Sequence, residues 1–451
     1  MQAIPSTLPN DESSEPARVL GLFDTSSVVV GAMVGVGIFF TPSRMAQLVQ
    51  SGPLLLLAWF VAGTIALCGA LTFAELGTRY HASGAQYDIL RSAYGPLPGF
   101  LFVFCNATAI QAGAIGIIAL ICTQNLTVAL GLPSLTPLWT TALSITLIAG
   151  LGLANILGVR WGARIQNITV LSKLVTILVI VILGLVAPTG PAPTVAPDSS
   201  NRLPGFLAAL VPALFAFGGW HQALWISGEV SNPKRTLPRA IVGGVSLVVA
   251  AYVLINFAYL QLLGNAATVA SSKTLAADAV ARAWPALGGR VIAGAVGISA
   301  FGVLNAQLLS GPRLVFGMAR DGRFFSPFSR LSSKFGTPWA SIVLIGAMAT
   351  LLLLVAGGEG IDRLLTGTVF VDSVFFAMTG AALFRLRKQE KEASFRVPGY
   401  PVIPALFVLG ELGVLIGAHL DPAVLPATLI GAGWIIAGLV AYWVWFRKAR
   451  G

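Results

Sequence analysis

The sequence predicts an all-α integral membrane protein of about twelve transmembrane helices. Three observations predict it. Of the 451 residues, 56% are hydrophobic and only 10% are charged, where a soluble domain carries about 25% charged residues. Mean hydropathy is +0.84. The apolar residues fall into twelve runs, 22–48, 54–77, 97–130, 137–157, 166–187, 204–228, 240–263, 288–317, 338–357, 361–385, 400–419 and 424–446. Each run is long enough to cross about 30 Å of hydrocarbon. Twelve such spans would use roughly 240 residues, which leaves no room for a large soluble domain. Disorder, collagen, coiled coils and disulfide-rich secreted scaffolds are excluded by the same composition. Proline and glycine punctuate several runs, so ten spans stand beside twelve as an alternative count.

The connections set the orientation. The net charge is +11, and about 20 of the 28 Lys and Arg residues fall in alternate connections. Arg18, Arg79, Arg91, Arg160, Arg164, Lys234, Arg235, Arg239, Arg320 and Arg385 are among them. Such asymmetry places basic loops in the cytoplasm. The basic balance therefore reports topology and gives no reason to expect nucleic acid as a partner. The expected location is the cell membrane, multi-pass, with both termini cytoplasmic. Residues 1–17 hold Asp11, Glu12 and Glu15 and no basic leader, and they read as a mobile tail. The stretch 266–286, with Lys273, Asp278 and Arg282, reads as an outer amphipathic helix.

Two runs are interrupted by glycine. The first reads Gly31-Ala32-Met33-Val34-Gly35-Val36-Gly37-Ile38-Phe39 and the sixth reads Phe215-Ala216-Phe217-Gly218-Gly219-Trp220. Both interruptions lie about a dozen residues into their runs. Glycine-interrupted segments at matching positions of two halves point to a transporter site. The chain then divides into a tail 1–21, a first five-helix repeat 22–187, an outer Pro-rich loop 188–203 and an inverted second repeat 204–385. A cytoplasmic loop 386–399, two further helices in 400–446 and a terminus 447–451 complete it. Glycine is also common where transmembrane helices pack, and Gly31…Gly35 matches that pattern, so packing is the alternative reading.

A broken helix exposes backbone groups that lipid cannot satisfy, so a break is tolerated only where it lines a cavity. The half-helix starting near Gly37 would offer free N–H groups and a positive dipole end, which suit a carboxylate. Helix ends near Met33-Val34 and Phe215-Ala216 would offer carbonyls, which suit an ammonium. A site for both is a site for an α-amino acid.

Lys173 lies inside the fifth run. An intramembrane lysine costs about 2.5 kcal/mol or more and marks function by default. Snorkelling towards Arg164 is the alternative. Asp24 and Glu75 lie near span ends, and Glu229 closes the sixth run as a salt-bridge or gate partner. Asp372 and Glu411 read as pairing groups between helices. His221 is the histidine nearest an interruption. Gln111, Asn305 and Gln307 are polar candidates for a side-chain pocket. Cys68, Cys105 and Cys122 lie within apolar runs and read as inert thiols. No phosphate loop, metal-ligand cluster or nucleophile–base pair occurs in the sequence. No catalytic residue, cofactor or metal is therefore expected, and an enzyme is disfavoured. A channel is disfavoured by the paired interruptions.

At these residues the chain resembles the amino acid–polyamine–organocation superfamily, and in particular bacterial relatives of the L-type and cationic amino acid transporters. The matching blocks are Gly35-Val36-Gly37-Ile38-Phe39, Phe73-Ala74-Glu75-Leu76-Gly77, Ser83-Gly84-Ala85-Gln86-Tyr87 and Ala93 through Phe100. Phe215 through Trp220, Gly228 through Arg235, and Arg313 through Gly322 complete them. The resemblance implies a leucine-transporter-type fold of 5+5 inverted repeats with alternating access. It implies a substrate carboxylate on the amides of Val36 and Gly37. It places the ammonium on carbonyls of Met33, Phe215 and Gly218, with Gly35, Val34 and Phe217 close by. It makes Phe215 a gate. It aligns Lys173 with a lysine that replaces sodium in sodium-independent members, and sets Ser299 beside it. Val36 and Phe217 depart from relatives that carry Ser or Gly and Tyr there, which bears on substrate preference.

The function implied is sodium-independent amino acid transport, by proton-coupled symport or by exchange. An amino acid/amine antiporter is the alternative. A monomer fits these readings, and the sequence specifies no partner subunit.

Overall fold

The computed structural model describes residues 15–186, 202–264, 268, 275–285, 288–389, 393–420 and 425–445. Residues 356–369 and several helix-end positions are described by backbone alone. The described residues form helices joined by short connections. An isolated bridge between Leu20 and Val230 is their β-type pairing.

The first apolar run is two helices. α1 (Leu22–Met33) stops and α2 (Gly37–Val49) resumes with a bend of 41°. Gly35 and Gly37 are poor helix formers, and they let the chain leave helical geometry there. α3 (Gly52–Arg79) begins with Pro53 in its first turn, where a missing N–H costs nothing. α4 (Ala85–Tyr94) is a short helix in the connection. α5 (Pro96–Cys105) and α6 (Gln111–Ala129) are joined by a π-helical turn at Asn106–Ile110 into one span. α7 (Pro137–Ile156) and α8 (Val159–Val186) follow.

The sixth run also breaks. α9 (Arg202–Ala216) ends, residues 217–221 form turns, and α10 (Gln222–Trp225) is a single helical turn. α11 (Pro233–Leu263) is a full span. The predicted amphipathic segment is helical over α12 (Leu275–Ala283), and most of 265–274 lies outside the described residues. α13 (Gly288–Ser310) and α14 (Pro312–Arg320) form one long span. α15 (Trp339–Gln389), α16 (Val402–Leu420) and α17 (Leu425–Trp445) complete the chain.

Two sequence expectations change here, the separation of runs 338–357 and 361–385 and the free tail. Runs 338–357 and 361–385, predicted as separate spans, lie in the single 51-residue helix α15, which also extends into the predicted loop 386–399. Gly357, Gly358 and Gly360 suggest a break, but each glycine weakens a helix by only about 1 kcal/mol. No proline follows Pro338 in this stretch. The described residues contain 7 helices long and apolar enough to cross a membrane, or 8 if the bent α1–α2 pair counts as one span. Residues 15–20 are not a free tail. The amides of Val19 and Leu20 donate to the Glu229 carbonyl (both 2.9 Å), Ser231 N donates to Leu20 O (2.8 Å), and Glu15 pairs with Arg320. Most of the predicted loop 188–203, with 1–14 and 447–451, lies outside the described residues.

α1 packs against α8, α11 and α13, and α2 against α9 and α3. Both broken helices are thus held between unbroken ones. On the basic-loop side, fully buried Glu75 gathers two elements. It accepts from Arg79 (3.0 Å), from Arg387 Nε (2.8 Å) and Nη2, and from the Val397 amide (2.8 Å). Removing one partner of a buried pair costs about 3 kcal/mol or more. Glu75→Gln should therefore lower the unfolding midpoint in detergent. A double-mutant cycle with Arg387→Met should return a coupling of about 1 kcal/mol or more. Additive losses would show that the pair does not hold α3 to α15.

A candidate substrate site at two broken helices

The last carbonyls of a helix lack intrahelical partners. At the break in α1, other spans supply them. Lys173 Nζ on α8 donates to Gly31 O at 2.8 Å. Tyr252 Oη on α11 donates to Met33 O at 2.8 Å, and the Gly35 amide donates to the same oxygen at 2.7 Å. Ser299 Oγ on α13 donates to Val34 O at 3.0 Å. Val30 O takes the Val34 amide at 2.7 Å. Among the described residues no donor reaches the Ala32 carbonyl.

Lys173 is 3% exposed, so its ammonium does not snorkel. Its stem crosses the face of α13 at Gly302. A Cβ on Gly302 would stand 3.0 Å from Lys173 Cε and 2.6 Å from Thr169 Oγ1. The glycine leaves the room that the lysine uses. Among the described residues no carboxylate pairs with Lys173. The partner shown for the ammonium is therefore a backbone dipole, the Gly31 carbonyl.

Beyond the break, Gly35, Val36 and Gly37 are partly open. Phe39 is the first amide to regain a partner, on Val36 O at 3.1 Å. The amides of Val36, Gly37 and Ile38 head α2 and form the positive end of its dipole.

The second break meets the first. Gly219 has φ +106°, and a Cβ there would lie 2.7 Å from the Ala32 carbonyl carbon and oxygen. Only glycine allows both that backbone conformation and that approach. A Cβ on Gly37 would meet Ala216 at 3.5 Å, an ordinary contact. Gly218 N donates to Phe215 O at 3.0 Å. Phe217, 1% exposed, packs edge-on to Trp59 (5.6 Å between ring centroids) and tilted on Tyr252 (5.1 Å). Phe215, expected as a gate, is 55% exposed.

The remaining candidates lie elsewhere. Asn305 is turned towards α7 and α8. Its amide donates to Gly162 O (2.9 Å) and Gln166 Oε1 (3.0 Å), and its oxygen accepts from Asn155 (3.2 Å). These bonds make it a connector between spans. Gln111 is buried against Gly311, with no partner for its Oε1. Gln307 accepts from Gln222 (3.0 Å), whose oxygen in turn takes Ser310 Oγ (2.7 Å). His221 is caged by Phe376 and Trp225 at 4.5 and 4.9 Å between ring centroids. Glu229 pairs with fully buried Arg313 at 2.8 Å. Glu411 on α16 is hydrogen-bonded by Ser373 on α15.

Sequence reasoning missed Tyr252 and Gly302, and placed Gly219 in the second interruption without singling it out. Tyr252 sits in an apolar run as one aromatic among many. Its signal was its hydroxyl, since a buried tyrosine needs a partner.

A cleft of about 300 Å³ lies apart from the breaks, lined by Arg18, Arg79, His81 and Asp88 among others. Burial, then the charges of Arg18 and Lys234, hold the His81 imidazole below its ordinary pKa.

The amino acid permease family model matches residues 20–446. The chain is 31% identical to the serine/threonine exchanger SteT of Bacillus subtilis, over 88% of this chain and 90% of that protein. It is 30% identical to the human b(0,+)-type amino acid transporter 1, over 98% and 91% of the two chains. It is 29% identical to the human cystine/glutamate transporter, over 98% and 88%.

The contacts at the two glycines separate packing from ligand effects. Gly219→Ala should fold poorly, with a loss of about 1–3 kcal/mol from the strained φ alone. Gly37→Ala should insert and keep its thermal midpoint, yet lose transport through the methyl at the carboxylate position. Normal uptake by Gly37→Ala would remove the carboxylate assignment.

Proposed function

The chain belongs to the amino acid permease family, and on that premise we propose that it exchanges amino acids across the membrane by alternating access without sodium. Its relatives are transporters, which sets it among transporters rather than enzymes. The Bacillus relative is an exchanger, which favours exchange over proton-coupled symport. The plasma membrane, with both termini cytoplasmic, is the setting that the loop charges support.

In this reading the substrate carboxylate lies on the amides of Val36 and Gly37 at the head of α2. Its ammonium lies on carbonyls of the two breaks. Met33 O already accepts two donors and Phe215 O accepts one. The Ala32 carbonyl, which faces Gly219, takes no donor among the described residues, and it joins Phe215 and Gly218 as a contact. No Asp or Glu occurs within 31–39 or 215–222. That favours a substrate recognised by its backbone groups over a diamine.

The observation that carries the reading is the pair of bonds from Lys173 to Gly31 O and from Ser299 to Val34 O. A sodium ion would need such oxygens as ligands. Here an ammonium supplies the charge and a hydroxyl takes the second carbonyl. The bridge ties α8 and α13 to α1, and it stabilises one access state more than the other.

Purified protein in proteoliposomes tests this. Labelled amino acid should enter in sodium-free buffer, and only when unlabelled amino acid is inside. Lys173→Ala should cut uptake at least about tenfold, as loss of a charge-assisted bond of about 1.5–3 kcal/mol implies. A sodium requirement, or unchanged Lys173→Ala uptake, would remove the assignment. Uptake driven by a pH gradient without internal substrate would turn the reading to symport. Phe215→Ala should lose translocation more than substrate binding. If both fell together, Phe215 would be a packing residue and not a gate.

A further inference from the structure

The end of α7, just before α8 begins, and the connection before α15 meet through a hydrogen bond from Thr337 Oγ1 to the Ile156 carbonyl at 2.7 Å. Around it stand four exposed cations, Arg160, Arg164, Arg330 and Lys334. No Asp or Glu occurs in 151–171 or in 322–341. On α1, which packs against α8, the Asp24 carboxylate is held by Asn167 Nδ2 at 2.7 Å and by the Gly21 amide at 3.1 Å. Elsewhere on the basic-loop side, Arg79, Arg91, Arg313, Arg320 and Arg387 have carboxylate partners, while Lys234, Arg235 and Arg239 have none among the described residues. Arg160, Arg164, Arg330 and Lys334 likewise have none among the described residues.

Exposed aromatic rings are interleaved with them. Trp161 lies under the Arg164 guanidinium at 5.3 Å, and Lys334 lies over Phe335 at 5.3 Å. Trp339, also exposed, opens α15. The first two turns of α8 and the first residue of α15 are where these helices leave the apolar layer. Tryptophan settles at headgroup depth there. A guanidinium fork matches two phosphate oxygens.

We infer that this face, centred on the Ile156–Thr337 contact, binds the headgroups of anionic phospholipids in the leaflet on the basic-loop side. A soluble polyanion would not need rings beside the cations. A neutral lipid would leave four unpaired positive charges facing phosphates already neutralised by choline. The attraction is electrostatic and short-ranged, so salt weakens it.

The test uses the full-length protein in nanodiscs of phosphatidylcholine with increasing brominated phosphatidylglycerol, or with brominated phosphatidylcholine at matched levels. Bromine quenches nearby tryptophan, and the signal of Trp161 and Trp339 is the difference from a Trp161→Phe, Trp339→Phe variant. For that difference signal, the anionic lipid should be preferred about tenfold over phosphatidylcholine at low salt. The preference should fall towards parity in Arg160→Gln, Arg164→Gln, Arg330→Gln, Lys334→Gln protein and at high salt. It should survive in Arg160→Lys, Arg164→Lys, Arg330→Lys protein. Equal quenching by phosphatidylcholine in all variants shows that they insert alike. No preference in the wild type, or a preference that the four-site variant retains, overturns the inference.

Discussion

Everything around the proposed site depends on one constraint: the carbonyls released where α1 stops must find donors inside the protein. In hydrocarbon an unsatisfied backbone group costs several kcal/mol, comparable to a large part of a domain's net stability. Three spans answer it. α8 sends an ammonium to Gly31, α11 a phenol to Met33, and α13 a hydroxyl to Val34. The break is therefore a point at which α11 and α13, both already packed on α8, are tied with it to α1. Any movement of α1 relative to α8, α11 and α13 must exchange these bonds for others. A site built this way has discrete arrangements, which is what alternating access requires.

The second break is built differently. Its carbonyls receive few side chains, and its geometry is set by space. Gly219 lets the backbone of residues 217–221 come against Ala32, and the rings of Trp59, Phe217 and Tyr252 close the gap beside it. Tyr252 belongs to both halves: its ring packs on Phe217 and its hydroxyl caps Met33. The two interruptions thus form one structure, with polar bonds on one side and aromatic packing on the other.

Much of this was legible in the sequence because the constraint has a sequence signature. Apolar runs mark spans, glycines in two of them mark breaks, and both breaks occur where the glycines stand. Lys173 was visible because a lysine in an apolar run is costly and so demands a partner. That partner, a carbonyl four spans away in the chain, was not legible from local pattern. Tyr252 and Gly302 were hidden for the same reason: each is ordinary in its own run, and gains meaning from what lies across a helix interface. Asn305 resembled a pocket residue because it is polar and intramembrane, yet its amide is consumed by Gly162, Gln166 and Asn155. The continuity of α15 through Gly357-Gly358 was missed because glycine only weakens a helix, while proline interrupts it.

The central claim is that the Lys173 ammonium occupies the place a sodium ion would take at the α1 break. Its most direct test is thermal unfolding of the purified protein in detergent as sodium replaces choline at constant ionic strength. A bound ion stabilises the folded state in proportion to its occupancy. The account predicts that the wild-type midpoint stays the same across the replacement. A rise in the wild-type midpoint specific to sodium would contradict it.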